Sequence, residues 1–426
     1  MNTKRRILFV AENVTLAQCV RLVTLARALD GERFEVHFAC SEFPALIFAK
    51  ERFVRHPISS LAPEAAARAL EAGQRLYEKS TLLRYIDAER RLLEAVAPEL
   101  VVGDFRLSLS TSAELMGVPS AVLINAYWSP FARRSAFPVP DHPIIGWLGE
   151  ALTERYFPRA MPHVFRHFAS PINAARAQHG LAPVGSLLEV LTHGTFTLYP
   201  DDAALTPVDS APSNHRFIGP VLWQPDLEDE LGASGSADPS SDAAARRLLE
   251  SGRPLIYVTL GSSGSVGLLP QVIEALAGLP VVALVATAGR AALAGLPANV
   301  VARPFVRGAD VAARAVLVIS NGGSTTGYQA LSRGTPVLGL PSNFDQHLAT
   351  EAIDRSGAGL SVKARQADVR AIRSALDRAL GNASLGDAAR RVAQGFARYD
   401  SPATFRALVD ELGTRPASSL RGSNAS

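Results

Sequence analysis

Short apolar runs alternate with stretches of helical period along most of the chain. ILFVA (7–11) is apolar at every position, as a strand buried on both faces requires. CVRLVTLARAL, which follows, repeats its apolar residues at helical spacing. FEVHFAC (34–40) predicts the next strand, 63–97 a long helical stretch, and ELVVGD (99–104), SAVLINA (120–126) and TFTLYP (195–200) further strands. Between these, 127–193 is rich in Pro, His and aromatic residues and predicts loops and helices built over a site. The rhythm restarts with PLIYVTL (254–260), a helix near 268–278, PVVALVAT (280–287), NVVARPF (299–305), AVLVIS (315–320), a helix from 324 and PVLGLP (336–341). Strands alternating with helices predict an α/β protein with doubly wound parallel sheets.

The interruption, DLEDELGASGSADPSSDAAA (226–245), is dominated by acidic, Gly, Ser and Pro residues and predicts an exposed linker. A chain of 426 residues with 47% hydrophobic content has material for two cores on either side of it, because single cores stop growing near ~250–300 residues. Forty-three basic against forty acidic side chains leave a formal +3. That balance supplies no field for nucleic acid or an anionic membrane. Two cysteines, Cys19 and Cys40, are too few for a disulfide framework or a four-thiolate zinc site and suit a reduced compartment. The apolar run after MNTKRR breaks at Glu12 and Asn13, too early for a secretory core. No run approaches the ~20 apolar residues of a spanning helix. The expectation is a soluble cytoplasmic protein with neither a nucleic-acid partner nor a transmembrane segment; its oligomeric state is not legible.

The densest chemical signal is VISNGGSTTGYQALSRGTPVLGLPSNFDQ (318–346). A buried strand runs into Asn321, Gly322, Gly323, Ser324, Thr325 and Thr326, which open a helix. Glycines let a ligand approach the backbone, and the helix start offers free amides and roughly half a positive charge. Hydroxyl capping of an ordinary strand–helix turn is the plain alternative. PVLGLP then delivers Asp345 and Gln346 to the carboxyl end of a second strand, where ligands of open α/β sheets sit. An acceptor beside an amide suits sugar hydroxyls, although such a pair also occurs in solvated loops.

Region 318–360 resembles the nucleotide-sugar signature of the family-1 glycosyltransferases of GT-B fold, a group that includes UDP-glycosyltransferases, macrolide glycosyltransferases and rhamnosyltransferases. The matching elements are Asn321-Gly322-Gly323, Gln329-Ala330, Gly334-Thr335-Pro336 and Asp345-Gln346. The resemblance implies two Rossmann-like domains facing across a cleft: an acceptor domain at 1–222, a linker at 223–252 and a donor domain at 253–398. It also implies a helix at 399–412 returning to the first domain; the composition after it predicts a disordered tail at 413–426. The resemblance further implies an inverting, metal-independent enzyme that needs no cofactor beyond a UDP- or dTDP-linked sugar as co-substrate, which it passes to a small-molecule acceptor. Gly322, Gly323, Ser324 and Thr325 would cradle the diphosphate, with Asn321 where the family has histidine. Gly261, Ser262 and Ser263 match the loop that approaches the phosphates. Phe305 and Val306 lie where the base packs, and Asp345 and Gln346 would hold the sugar.

The same alignment puts Gln18 where the catalytic histidine stands, with Asp104 in the place of its orienting aspartate. Glutamine has no usable basicity near neutral pH. Three explanations follow: Asp104 or Glu12 acts as base, the acceptor is acidic enough to need little help, or the protein is slow or a binding protein. Gln18 as a mere helix cap is the plain alternative. Asn125, Tyr127, Trp128, Phe131 and His142, after another strand, would line an apolar acceptor pocket for an aromatic or lipidic aglycone, or else pack a loop onto the sheet. His163 and His167 lack a third ligand, so no metal site is expected. A degenerate sugar-nucleotide-binding partner and a sugar-nucleotide 2-epimerase are the competing functions.

Overall fold

The computed structural model describes residues 4–71, 73–139, 150–226, 239–261 and 266–414. The chain forms two compact units, Met1–Phe137 with Arg155–Val221 and Arg398–Ser426, and Pro138–Glu154 with Leu222–Ala397.

The first unit is built on seven strands: β1 (Arg5–Ala11), β2 (Phe34–Cys40), β3 (Val54–Pro57), β4 (Leu100–Asp104), β5 (Ser120–Leu123), β6 (Phe196–Tyr199) and β7 (His215–Phe217). They pair in parallel in the order β3-β2-β1-β4-β5-β6-β7. The central strands are apolar because helices cover both faces. Helices α1 (Leu16–Ala26), α2 (Lys79–Val96), α3 (Leu109–Met116) and α4 (Glu150–Gln178) follow strands of this sheet. Strand order reverses between β1 and β4, where Ala11 stands opposite Asp104. Such a reversal opens a crevice at the carboxyl ends of the two strands.

The second unit holds β8 (Leu255–Thr259), β9 (Val282–Ala286), β10 (Val300–Arg303), β11 (Ala315–Ser320), β12 (Val337–Gly339) and β13 (Gly359–Ser361), in the order β10-β9-β8-β11-β12-β13. Its helices include α5 (Leu269–Leu276), α6 (Ser324–Leu331), α7 (Phe344–Arg355) and α8 (Val369–Leu380). One apolar core runs from Ile256 and Val258 on β8 through Ala283 and Val285 on β9 to Ile372 and Leu376 of α8. The reversal here falls between β8 and β11, with Thr259 opposite Ser320.

The last described helix, α9 (Ser401–Thr414), belongs to the first unit. Phe405 is fully buried with its ring 5.7 Å from that of Phe9 on β1, and Arg5 donates to the Val409 carbonyl at 2.8 Å. The approach to the helix is tight. Gly219 has φ of 82°, and a Cβ there would collide with the Tyr399 side chain.

Three details depart from the pattern. The helical stretch expected over 63–97 is two helices, Pro63–Glu71 and α2, with Gly73 at φ 63° between them. The stretch expected as linker contains a helix, Pro239–Leu249, whose Ala245 and Leu249 are buried. The edge strands β3 and β7, VRHP and HRF, are too short and polar to announce themselves. No helix among the described residues is long and apolar enough to cross a membrane.

Candidate functional site

At the carboxyl end of β1 the chain turns through Asn13, held at φ 59°, and at the end of β4 through Phe105, at φ 54°. Non-glycine residues in this region of backbone space carry strain that the surroundings must hold. Each is preceded by a fully buried acid, Glu12 and Asp104. Arg21, on the first turns of α1, donates from Nε to Asp104 Oδ2 at 2.8 Å and from Nη2 to Oδ1 at 2.7 Å. Its Nη1 reaches Asn125 Oδ1 at 2.7 Å, and Asn125 Nδ2 passes the chain on to Asp201 at 2.9 Å. Asp201 in turn accepts from the Ala126 amide at 2.6 Å, which fixes the loop carrying Tyr127 and Trp128.

Glu12 has a parallel arrangement. It accepts from Arg106 Nη1 at 2.9 Å, from Tyr85 Oη at 3.2 Å and from the Leu61 amide at 3.1 Å. Arg106 Nε is shared with Glu89 at 2.6 Å, and its guanidinium lies 3.8 Å over the Tyr85 ring. Burial raises the Glu12 carboxyl above its ordinary range, against the lowering effect of Arg106.

The predicted catalytic residues lie within these networks. Gln18 is the third residue after the N-cap Thr15, and its Oε1 accepts the Val14 and Thr15 amides at 2.8 and 3.1 Å. Its oxygen therefore closes a capping arrangement. Direct action of Glu12 or Asp104 as acceptor base does not fit their positions, since both are sealed from solvent and ion-paired. Tyr127 and Trp128, expected in an acceptor pocket, are buried. Phe131 is half-buried against His215, ring centroids 5.5 Å apart. His142 lies outside the described residues. Arg21 and Arg106 were not legible as site residues, because an arginine inside a helical or loop pattern reads as surface.

In the second unit, Gly322 has φ of 79°, and a Cβ there would strike Thr350 Oγ1 of α7. Thr350 donates to the Gly322 carbonyl at 3.1 Å, which locks the start of α6 against α7. The Gly322 amide donates to Ser320 Oγ at 3.1 Å and the Gly323 amide to Asn321 Oδ1 at 3.2 Å. The next amides, of Ser324, Thr325 and Thr326, precede the first intrahelical bond, from Gly327 N to Gly323 O. Asn321 and Ser324 are buried, Thr325 half-buried. Gly261, at φ 60°, faces this helix start: a Cβ on it would lie 3.7 Å from Asn321 Nδ2. Ser262 and Ser263 lie outside the described residues. Phe305 is half-buried beside Gly289, and Val306 is buried.

Asp345 stands in the first turn of α7, half-buried. Gln346 Oε1 accepts from the Ser342 amide at 2.9 Å and from Ser342 Oγ at 3.1 Å, while its own backbone amide donates to Asn343 Oδ1 at 3.1 Å. The structure thus brings Gly261, Asn321, Gly322, Gly323, Ser324 and Thr325 together, with Asp345 and Gln346 at the next strand end. Among the described residues no group of three or more His, Cys, Asp or Glu is placed to hold a metal ion.

The model of the erythromycin biosynthesis protein CIII-like C-terminal domain matches residues 270–412. Over 394 residues the chain is 42% identical to a PGL/p-HBAD biosynthesis glycosyltransferase of Mycobacterium tuberculosis, covering 92% of this chain and 89% of that protein. It is 40% identical over 396 residues to a PGL/p-HBAD biosynthesis rhamnosyltransferase of Mycobacterium bovis, covering 93% and 85%. The solved structure of spinosyn rhamnosyltransferase SpnG complexed with thymidine diphosphate matches with a TM-score of 0.62 at 20% identity, covering 95% of this chain and 100% of that one.

Proposed function

Because the chain belongs to the glycosyltransferase family of the PGL/p-HBAD biosynthesis enzymes and has their GT-B fold, we propose that it is an inverting, metal-independent transferase that glycosylates an acidic hydroxyl, such as a phenol. The donor is a nucleoside diphosphate sugar. A thymidine diphosphate complex of a protein of the same fold favours the dTDP form, and the rhamnosyltransferase relative makes a rhamnosyl donor the first to try.

On this reading the diphosphate lies at the start of α6, where backbone amides and the helix dipole take up the charge that develops on the leaving oxygen. The acceptor oxygen forms its bond to the anomeric carbon as the carbon–oxygen bond to the diphosphate breaks. The electron pair leaves with the diphosphate, and the acceptor proton passes to water. Asp345 and Gln346 stand at the neighbouring strand end, where sugar hydroxyls are reached from the helix cap.

The observation that carries the acceptor class is the absence of an open base among the residues that align with the catalytic dyad. Gln18 Oε1 is committed to two backbone amides, and Asp104 gives both carboxylate oxygens to Arg21. A positioned base is worth roughly 10²–10⁴-fold, so an alcohol would be a poor substrate and a phenol a tolerable one.

The test is a matrix of UDP- and dTDP-sugars against phenols and alcohols, with products read by mass spectrometry, for the wild type and Gln18→His. Phenol products are expected from the wild type, and from the variant a gain on alcohols well above any gain on phenols. Equal gains on the two classes would sink the acidic-acceptor reading.

A further inference from the structure

Three loops of the second unit converge on Gly261 from the carboxyl ends of adjacent strands: its own after β8, the loop after β9, and the start of α6 after β11. The loop after β9 is a four-residue turn, closed by the Arg290 amide donating to the Thr287 carbonyl at 3.0 Å. Both central residues, Ala288 and Gly289, have positive φ, 53° and 72°. That is the geometry of a type I′ turn, costly for alanine because its Cβ crowds the backbone. The turn rests on Phe305, whose ring would lie 3.7 Å from a Cβ on Gly289. Seated there, it sends the exposed Arg290 side chain to Gly261, where Nη1 donates to the carbonyl at 3.2 Å. The Asn321 amide also lies close to Gly261, 3.7 Å from where its Cβ would be.

We propose that Arg290 is a binding residue for the donor's diphosphate and supplies the formal positive charge of that site. The proposal rests on the donor-site reading given above. Within that site, Asn321 offers a neutral amide, and the amides of Gly322 and Gly323 are already taken by Ser320 and Asn321. The helix start contributes only a fractional charge. A diphosphate carries at least two negative charges, so dipoles alone balance it poorly. Arg290 reaches the same loop with a planar fork of donors that matches phosphate oxygens in pairs. Its contact with the backbone carbonyl of Gly261 seats the guanidinium within reach of a ligand lying across that loop. The charge then acts on the leaving group, so it serves turnover as well as affinity.

The experiment is calorimetry on the full chain with UDP, dTDP, uridine and thymidine, comparing the wild type with Arg290→Met and Arg290→Lys. Loss of charge-assisted hydrogen bonds predicts roughly ten- to a hundredfold weaker binding of the diphosphate in Arg290→Met. Arg290→Lys should fall between, and nucleoside affinity should not change. Adding Asn321→His to Arg290→Met should recover part of the loss at pH 6 and less at pH 8, because an imidazolium then restores a cation beside Gly261. In turnover, Arg290→Met should raise the donor KM and lower kcat together. Unchanged diphosphate affinity in Arg290→Met overturns the assignment and leaves the donor site standing. An equal loss for nucleoside and nucleoside diphosphate also overturns it, since the effect is then structural. A wild type that takes up neither diphosphate sinks the donor-site reading itself.

Discussion

Arg21 and Asp104 meet in a two-point ion pair, both contacts under 3 Å, at the place where the strand order of the first sheet reverses. The pair is half of a reciprocal brace. The acid ending β4 takes its arginine from α1, after β1, while Glu12, ending the β1 region, takes Arg106 from the loop after β4. Each strand–helix unit is thereby tied to the other at the point where a crevice would otherwise weaken the sheet.

Breaking the brace on one side should be costly. Arg21→Met strips a fully buried carboxylate of its two-point arginine, and the expected loss is about 3–5 kcal/mol in urea unfolding. Adding Asp104→Asn should recover most of it, because no charge is then stranded. Additive losses in the double variant would show that the two side chains are not coupled.

Gln18 and Gln346 hold equivalent places, each third after the N-cap of its helix. Gln18→Ala should therefore cost about 1 kcal/mol of stability, in the range of a lost cap. Turnover of a phenol should stay nearly unchanged, since the amide supplies no base that the variant could lose. A large fall in kcat at unchanged stability would give Gln18 a chemical role instead.

Gly322 is fixed twice over, by its left-handed backbone and by Thr350. Gly322→Ala should lower stability by about 2–4 kcal/mol, combining backbone strain with overpacking. Thr350→Ala in the same chain should return the steric part and leave about 1 kcal/mol of backbone cost. Thermal melts of the three variants separate the two contributions.

His347 of α7 is buried, and burial, aided by Lys363 and Arg365, lowers its pKa to about 4. The unfolded chain takes up a proton near pH 6.5 that the folded protein refuses, so stability falls as pH drops from about 6.5 towards 4, at roughly 1.4 kcal/mol per pH unit. Asp354 on the same helix acts in the opposite sense: burial raises it to about 6, so its contribution falls as pH rises from about 4 to 6. His347→Asn should reduce the difference in stability between pH 7 and pH 5 by about 2 kcal/mol, as measured by urea unfolding at both values. An unchanged difference would mean the ring is protonated in the folded protein.

The fold class was legible because parallel strands buried on both faces leave unbroken apolar runs, and β1, β4, β8, β9 and β11 all do. Three of the four edge strands, β3, β7 and β13, were not, since VRHP, HRF and GLS carry no run to recognise, whereas the fourth, β10, does. At the site, the glycine pair 322–323 marks a strand-to-helix turn that an ordinary capped turn would also show, while the fates of Gln18, Glu12 and Asp104 are not legible. Each depends on an arginine or an amide that the local pattern does not announce, such as Arg106, which lies 94 residues from Glu12. Glutamine before an apolar helical run signals a capping box as readily as chemistry, and here the local signal governs the side chain. Arg290 is not legible either, because nothing in TAGR distinguishes a surface arginine from one delivered by a strained turn.

Phe405→Ala tests α9. The ring is fully buried against Phe9, and its removal should cost about 3–5 kcal/mol in denaturant unfolding. A loss below about 1 kcal/mol would mean that α9 is dispensable to the first core.

That packing sets an order of events at the ribosome. The strand carrying Phe9 leaves the exit tunnel long before the helix with which it shares a core, so the amino-terminal domain remains unfinished while the entire carboxyl-terminal one is being translated. Domains otherwise mature in the order of their synthesis; here the earlier one must wait, its flank uncovered, and a message cut short ahead of Phe405 yields a product whose first domain is never sealed.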